Sequence, residues 1–193
     1  MALPKSFETE RTVFLRDIVN TTGSEHLFGW PRPTDEDYAL FGRIIAIYSI
    51  LDFALRYTAE VMDGKGMLLD PWKGKTAKLN MYKTTKAIRS WKAWEEEQIA
   101  AFDDIEYYRP VRNLLAHFVI RRFPTEDAFL FMTKSAADFE QVYNTRPPAD
   151  NMLYGVVDAE QMRGSIPVLK DLVSWCSKLP GDLNNPLDSN VAK

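Results

Sequence analysis

The stretch that decides the fold is Thr34–Met62, TDEDYALFGRIIAIYSILDFALRYTAEVM. Thr34 is a good helix N-cap, and Asp35, Glu36 and Asp37 fill a first turn where carboxylates suit the positive end of the helix dipole. Beyond them Phe41, Ile45, Tyr48, Leu55, Ala59 and Met62 recur at three- and four-residue steps, backed by Ile44 and Leu51. That is the period of an amphipathic helix. The run Asp63-Gly64-Lys65-Gly66 supplies a glycine stop. A helix of this length predicts a mainly α fold.

Upstream, roughly Ser6 to Val19 predicts a first helix with Phe7, Phe14, Leu15 and Ile18 on its apolar side, stopping in Asn20-Thr21-Thr22-Gly23. A loop with Gly29, Pro31 and Pro33 leads into the long helix. Downstream, residues 67 to 75 read as a loop around Pro71 and Gly74, followed by helices over about Thr76 to Trp91 and Trp94 to Phe118. Pro110 removes a backbone donor inside the latter, so a kink or restart is expected there. The period then changes. Phe118–Phe123 and Ala128–Thr133 are short and rich in β-formers, with Pro124-Thr125-Glu126-Asp127 between them, which predicts a hairpin. Met152–Val157 is a candidate third strand. Asp158 then caps a helix to about Leu179, with Gln161 at the capping-box position and Pro167 marking a kink or late start. The tail from Pro180 is nearly devoid of apolar residues and is expected to be disordered.

With 193 residues, 46% hydrophobic and 26% charged, the chain has the length and composition of one soluble domain, taken as residues 1–180 with a tail at 181–193. A net charge of -3 argues against a bulk nucleic-acid coat protein but not against a local basic face. The single cysteine, Cys176, excludes an internal disulfide, and no Cys/His cluster has zinc-ligand spacing. No metal or cofactor is expected. The N-terminus MALPKSFETER lacks a signal-peptide core and no apolar run approaches spanning length, so a cytoplasmic protein without a membrane partner is the expectation.

The chemistry concentrates in Arg112-Asn113-Leu114-Leu115-Ala116-His117. Arginine neutralises a phosphate through two parallel hydrogen bonds, and histidine moves a proton near neutral pH. Asn113 and His117 stand four apart and share a helix face. Arg112 and His117, five apart, are about 140° apart around the helix. One helix therefore does not aim both at a single phosphate.

The order arginine, asparagine, three residues, histidine resembles the signature of the HEPN superfamily (higher eukaryotes and prokaryotes nucleotide-binding domains), at its shortest spacing. The likeness covers about residues 34–120 and implies a HEPN-like helical bundle, here with a small three-strand β appendage after the motif helix. It implies a homodimer whose paired motifs line one cleft, and a metal-independent endoribonuclease acting as a toxin or defence effector. Arg112, Asn113 and His117 would form the catalytic set, leaving 2′,3′-cyclic phosphate ends. RNA would be the substrate, and an antitoxin protein a partner if the role is that of a toxin. The family's frequent tyrosine two residues past the histidine is Val119 here. Two other readings stay open: a non-catalytic HEPN-like module binding RNA or a nucleotide, and a helical interaction protein with an incidental histidine.

Asp52 falls on the apolar stripe, where a carboxylate needs a partner or a solvated cleft. It can hold Arg112 or Arg56, or form a plain structural ion pair. Glu106 lies six residues before Arg112, where some HEPN nucleases carry an acid, so the resemblance makes it a second supporting candidate. Between Lys73 and Lys92 the chain has basic residues at 73, 75, 78, 83, 86, 89 and 92 and no acidic one, with Trp72, Tyr82, Trp91 and Trp94 interleaved or adjacent. Lys83, Lys86 and Arg89 are candidates for single-stranded RNA, joined by Arg121 and Arg122 just past the motif. The plainer reading, a solvated face with the tryptophans in the core, is favoured. His26 receives no role.

Overall fold

A computed structural model describes residues 9–69, 81–143 and 152–184, the last three residues of the second span by backbone only. Among these it contains six α-helices and three strands: α1 Glu10–Thr22, α2 Asp35–Gly64, α3 Met81–Arg89, α4 Glu96–His117, β1 Val119–Arg122, β2 Ala128–Thr133, α5 Ala136–Tyr143, β3 Leu153–Asp158 and α6 Ala159–Asn184. The protein is mainly α with a small antiparallel sheet of order β1-β2-β3. It divides into two compact units, Met1–Ile45 with Tyr107–Ile166, and Ala46–Glu106 with Pro167–Lys193.

In the first unit the sheet sits between helices. In β2 alternate residues point to opposite faces. Ala128, Leu130 and Met132 join Leu15 and Val19 of α1, Leu27, Phe123 and Val156 of β3 in one buried cluster. On the other face Phe129 meets the ring edge of Phe41, with centroids 4.9 Å apart. Both faces are thus covered, which is why this strand reads as an unbroken apolar run. Pairing Phe131 with Gly155 across the ladder places a large side chain beside one that needs no room.

The start of α2 is fixed by its own polar groups. The Thr34 hydroxyl accepts from the Asp37 amide at 3.2 Å, while the Asp37 carboxylate accepts from the Thr34 amide at 2.8 Å. This reciprocal cap satisfies two otherwise orphaned donors. The second Asp37 oxygen, on a side chain only 7% exposed, takes Arg122 Nη1 at 2.5 Å. Arg122 Nη2 reaches Asp127 in the hairpin turn at 2.6 Å, and its guanidinium lies 5.6 Å from the Phe129 ring centre. Asp127 also pairs with Arg163 of α6. The neighbouring Glu126 and the α6 cap Asp158 both hold Arg11 of α1, at 2.7 and 3.1 Å. The turn between β1 and β2 therefore gathers charges from α1, α2 and α6.

The second unit is built on aromatic and aliphatic packing. Leu51, Leu55, Ala59 and Met62 of α2 are buried, as are Ile88, Phe102, Ile105, Leu169 and Cys176. Trp94, Phe102 and Trp175 form successive ring contacts at 5.3 and 5.0 Å. The Trp94 indole donates to the Ile88 carbonyl at 2.7 Å, so this tryptophan is a core residue and not an exposed stacking platform. Burial pushes the Cys176 thiol up to about 12.

Several expectations need correction. In α1 the buried residues are Thr12, Leu15 and Val19. Phe14 is 48% exposed, so the inward stripe is rotated from the one predicted. Ile45, placed on the inner stripe of α2, is partly exposed. Helix α4 continues through Pro110, and α6 starts at Ala159 and continues through Pro167 and Pro180, so neither helix restarts or starts late at its proline. Each proline costs a helix one backbone bond, and the flanking turns retain theirs. Residues 180–184, expected to be disordered, are the last turn of α6. Helix α5 has no counterpart among the predicted elements. The predicted positions Phe7, Trp72, Lys73, Lys75, Lys78 and residues 76–80 and 185–193 lie outside the described residues.

Replacing Arg122 with alanine leaves the buried Asp37 carboxylate without its cation. The expected loss is about 3 kcal/mol of unfolding free energy in urea denaturation. The hydrogen bond from Arg163 holds the Asp127 carboxyl below its ordinary value of 3.8. A depressed carboxyl contributes its stability in full above that value and loses it as pH falls through the lower folded one. The melting-temperature gap between wild type and Asp127→Asn should hold constant above about pH 5 and shrink below about pH 4.

Candidate functional site

The motif occupies the last two turns of α4. Its backbone ladder continues one residue past the helix, with the Phe118 amide donating to the Leu114 carbonyl at 3.1 Å. β1 begins at Val119, so Phe118 alone separates the last helical residue, His117, from the sheet. Val111, Leu114 and Phe118 are buried and anchor this end of the helix. Between them Ala116 and His117 are the exposed residues of the last turn.

Within that frame the three motif residues have different surroundings. Asn113 is 8% exposed, a buried amide. Its side-chain oxygen accepts from Arg112 Nη1 at 3.3 Å, a long contact that ties the half-buried guanidinium to the helix. His117 is exposed. The arrangement thus offers a braced cation and a solvent-facing imidazole separated around the helix, as the five-residue spacing requires. A phosphate oxygen could take the outward donors of Arg112, since a guanidinium has five and Asn113 uses one.

The supporting candidates fall elsewhere. Asp52 pairs with Arg56 at 2.8 Å, one helical turn along α2. Among the described residues its other oxygen, also buried, has no hydrogen-bond partner. Glu106 is half-buried on α4. Lys83 and Lys86 are exposed on α3 beside the exposed Tyr82, while Arg89 pairs with Asp103 at 2.9 Å. Arg121 donates to the carbonyls of Phe28 and Ile120, at 3.1 and 3.0 Å. Arg122 is engaged by Asp37 and Asp127, so a phosphate there would compete with two carboxylates. His26 lies 3.5 Å from Glu25, both well exposed. Among the described residues no group of three or more His, Cys, Asp or Glu side chains could hold a metal ion.

The interaction that sequence reading missed is the one between neighbours, Arg112 onto Asn113. The signal was present, an amide directly after the arginine, but its burial was not readable. No family model, no curated protein and no solved structure matches the chain.

The surroundings separate structural from chemical roles by experiment. Asn113→Ala removes a buried polar partner and should lower unfolding free energy by about 1–2 kcal/mol. His117→Ala touches an exposed side chain and should change it by less than about 0.5 kcal/mol. Chemical denaturation of both variants measures the contrast.

Proposed function

We propose that the chain is a metal-independent endoribonuclease of the HEPN type. The observation that supports it most is the exposed His117, one helical turn from a buried Asn113 that braces Arg112. A histidine kept only for packing would be enclosed and hydrogen-bonded. Here the one titratable group of the motif faces solvent and the permanent cation is the part held in place.

In the proposed reaction the RNA 2′-hydroxyl attacks the adjacent phosphorus. His117 accepts the hydroxyl proton or supplies one to the leaving 5′-oxygen, and Arg112 stabilises charge building on the phosphoryl oxygens. Asn113 keeps the guanidinium oriented. The 5′-oxygen departs as the new P–O bond closes, leaving a 2′,3′-cyclic phosphate. DNA lacks the attacking hydroxyl and should survive. Because Arg112 and His117 diverge around one helix, the reading includes a homodimer in which each chain supplies part of the cleft. A cytoplasmic toxin or defence effector, controlled by an antitoxin protein, is the role that this activity suits.

A second reading, a module that binds RNA without cutting it, is favoured by one observation. Tyr82, Lys83 and Lys86 are exposed together on α3, offering a stacking ring beside two cations. By length and composition α2 is the one helix among the described residues that could cross a membrane, yet 39% of its apolar window is buried within the protein. The Asp52–Arg56 ion pair lies within this helix.

Purified protein in EDTA should cleave single-stranded RNA and leave cyclic-phosphate ends. His117→Ala and Arg112→Ala should each lower the rate by about a hundredfold or more. Intact RNA with undiminished binding would support the non-catalytic module instead.

A further inference from the structure

The loop between α1 and α2 is pinned within the first unit from both sides. Leu27 is buried in the cluster with Leu15 and Val19, and the Trp30 ring meets Phe123 with centroids 4.7 Å apart. The Pro31 carbonyl accepts from the Arg122 amide at 2.8 Å, and the Phe28 carbonyl accepts from Arg121 Nε at 3.1 Å. Both bonds tie the loop to β1. The Phe28 side chain is nevertheless 48% exposed. A ring held on a fixed backbone gives up little freedom when a flat partner packs on it.

Arg121 completes this corner. Arg11, Arg89, Arg122 and Arg163 each meet a carboxylate. Arg121 instead donates to neutral acceptors, the carbonyls of Phe28 and of Ile120, the latter at 3.0 Å. Among the described residues no carboxylate pairs with it. A guanidinium has five donors and these bonds use two, so the cation is oriented without being neutralised. Arg112, held by the Asn113 amide, is braced in the same way. Four residues separate Arg121 from His117, so their Cα atoms are at most about 14 Å apart.

We propose that Phe28 and Arg121 form a subsite for one nucleotide of single-stranded RNA. The base stacks on the Phe28 ring and a phosphate oxygen bonds to the Arg121 guanidinium. This subsite rests on the reading of the chain as a protein that engages RNA, and it names an unpaired nucleotide as the feature recognised. It does not need His117 to act in chemistry. Ring and cation have separate tasks. Every base has a π-face, so stacking selects unpaired bases without selecting sequence, whereas the phosphate contact adds affinity that salt weakens. The bond to the Phe28 carbonyl sets the cation against the backbone of the residue that carries the ring, close enough for one nucleotide to touch both. Duplex RNA keeps its bases stacked on one another and offers the subsite only phosphates. Arg122 is excluded, since Asp37 and Asp127 occupy it and strand alternation turns it to the other face of β1.

Fluorescence anisotropy of a labelled single-stranded 2′-O-methyl RNA with the full chain tests this. That probe lacks the attacking hydroxyl and survives whether or not the chain is a nuclease. Phe28→Ala should weaken binding about tenfold and leave its salt dependence unchanged. Phe28→Trp should hold or tighten it, a rescue that a merely structural phenylalanine would not show. Arg121→Gln should weaken binding about fivefold or more at low salt and lower the slope of log affinity against log salt by about 0.7. A duplex probe should bind more weakly, with an affinity that Phe28→Ala does not change. Wild-type affinity in both Phe28→Ala and Arg121→Gln overturns the subsite. So does a Phe28→Ala loss equal for single strand and duplex, or a wild type that binds no RNA. The nuclease reading fails separately, when unmodified RNA stays intact in EDTA; a subsite found in that protein stands as the binding surface of a non-catalytic module.

Discussion

The Arg122 guanidinium, held between the buried Asp37 and the turn residue Asp127, is the constraint on which the first unit depends. It joins the N-terminus of α2 to the hairpin from the same face on which Phe41 meets Phe129 one helical turn later. Burying a carboxylate is costly unless it is both paired and hydrogen-bonded, and Asp37 is: the Thr34 amide takes one oxygen and Arg122 the other. The same carboxylate thus caps the helix and positions it on the sheet. Asp127, Arg163, Glu126, Asp158 and Arg11 extend the pairing to α6 and α1, so the sheet is fixed to its helices by charge at the turn and by apolar contacts along β2.

Much of this architecture is legible in the sequence because the signals are local. Thr34 with its acidic first turn, the glycine stop after α2, the hairpin run from 118 to 133 and the Asp158 cap all act within a few residues of where they are read. Helix α5 has such a signal too. Ser135 accepts from the Asp138 amide at 3.2 Å, and Phe139 is fully buried, but the segment is short and follows a strand without a loop of its own. The stripe of α1 is ambiguous in sequence because Phe14 and Ile18 compete with Leu15 and Val19 in a helix apolar on more than one side, and only the sheet decides which face turns in. The prolines signal what they remove and not what the helix keeps. In α4 and α6 the rest of the helix retains its bonds and its buried side chains, which outweighs one missing donor.

The candidate site is legible as a spacing and illegible as an environment. Sequence places Asn113 and His117 on one face and Arg112 off it, which follows from helix geometry alone. It cannot show that Asn113 is buried and His117 exposed, because burial depends on Val111, Leu114 and Phe118 finding partners elsewhere in the chain. Charge is harder still. Lysines and arginines in the sequence look equally available for phosphate, yet Arg89, Arg121 and Arg122 are each held by acceptors elsewhere in the chain. Asp52 has two candidate arginines in sequence, and it is Arg56, the nearer along the helix, that it holds.

The single residue between His117 and β1 gives the chain a mechanical phase. Helical rotation sets where the histidine points, and strand alternation sets which face each β1 side chain occupies. With only Phe118 between them, neither can be adjusted separately. Inserting or deleting one residue there would exchange Arg121 and Arg122 between the faces of the sheet, taking the guanidinium away from Asp37. The motif and the fold thus share one reading frame, and the junction at 117–119 tolerates substitution far better than a change of length.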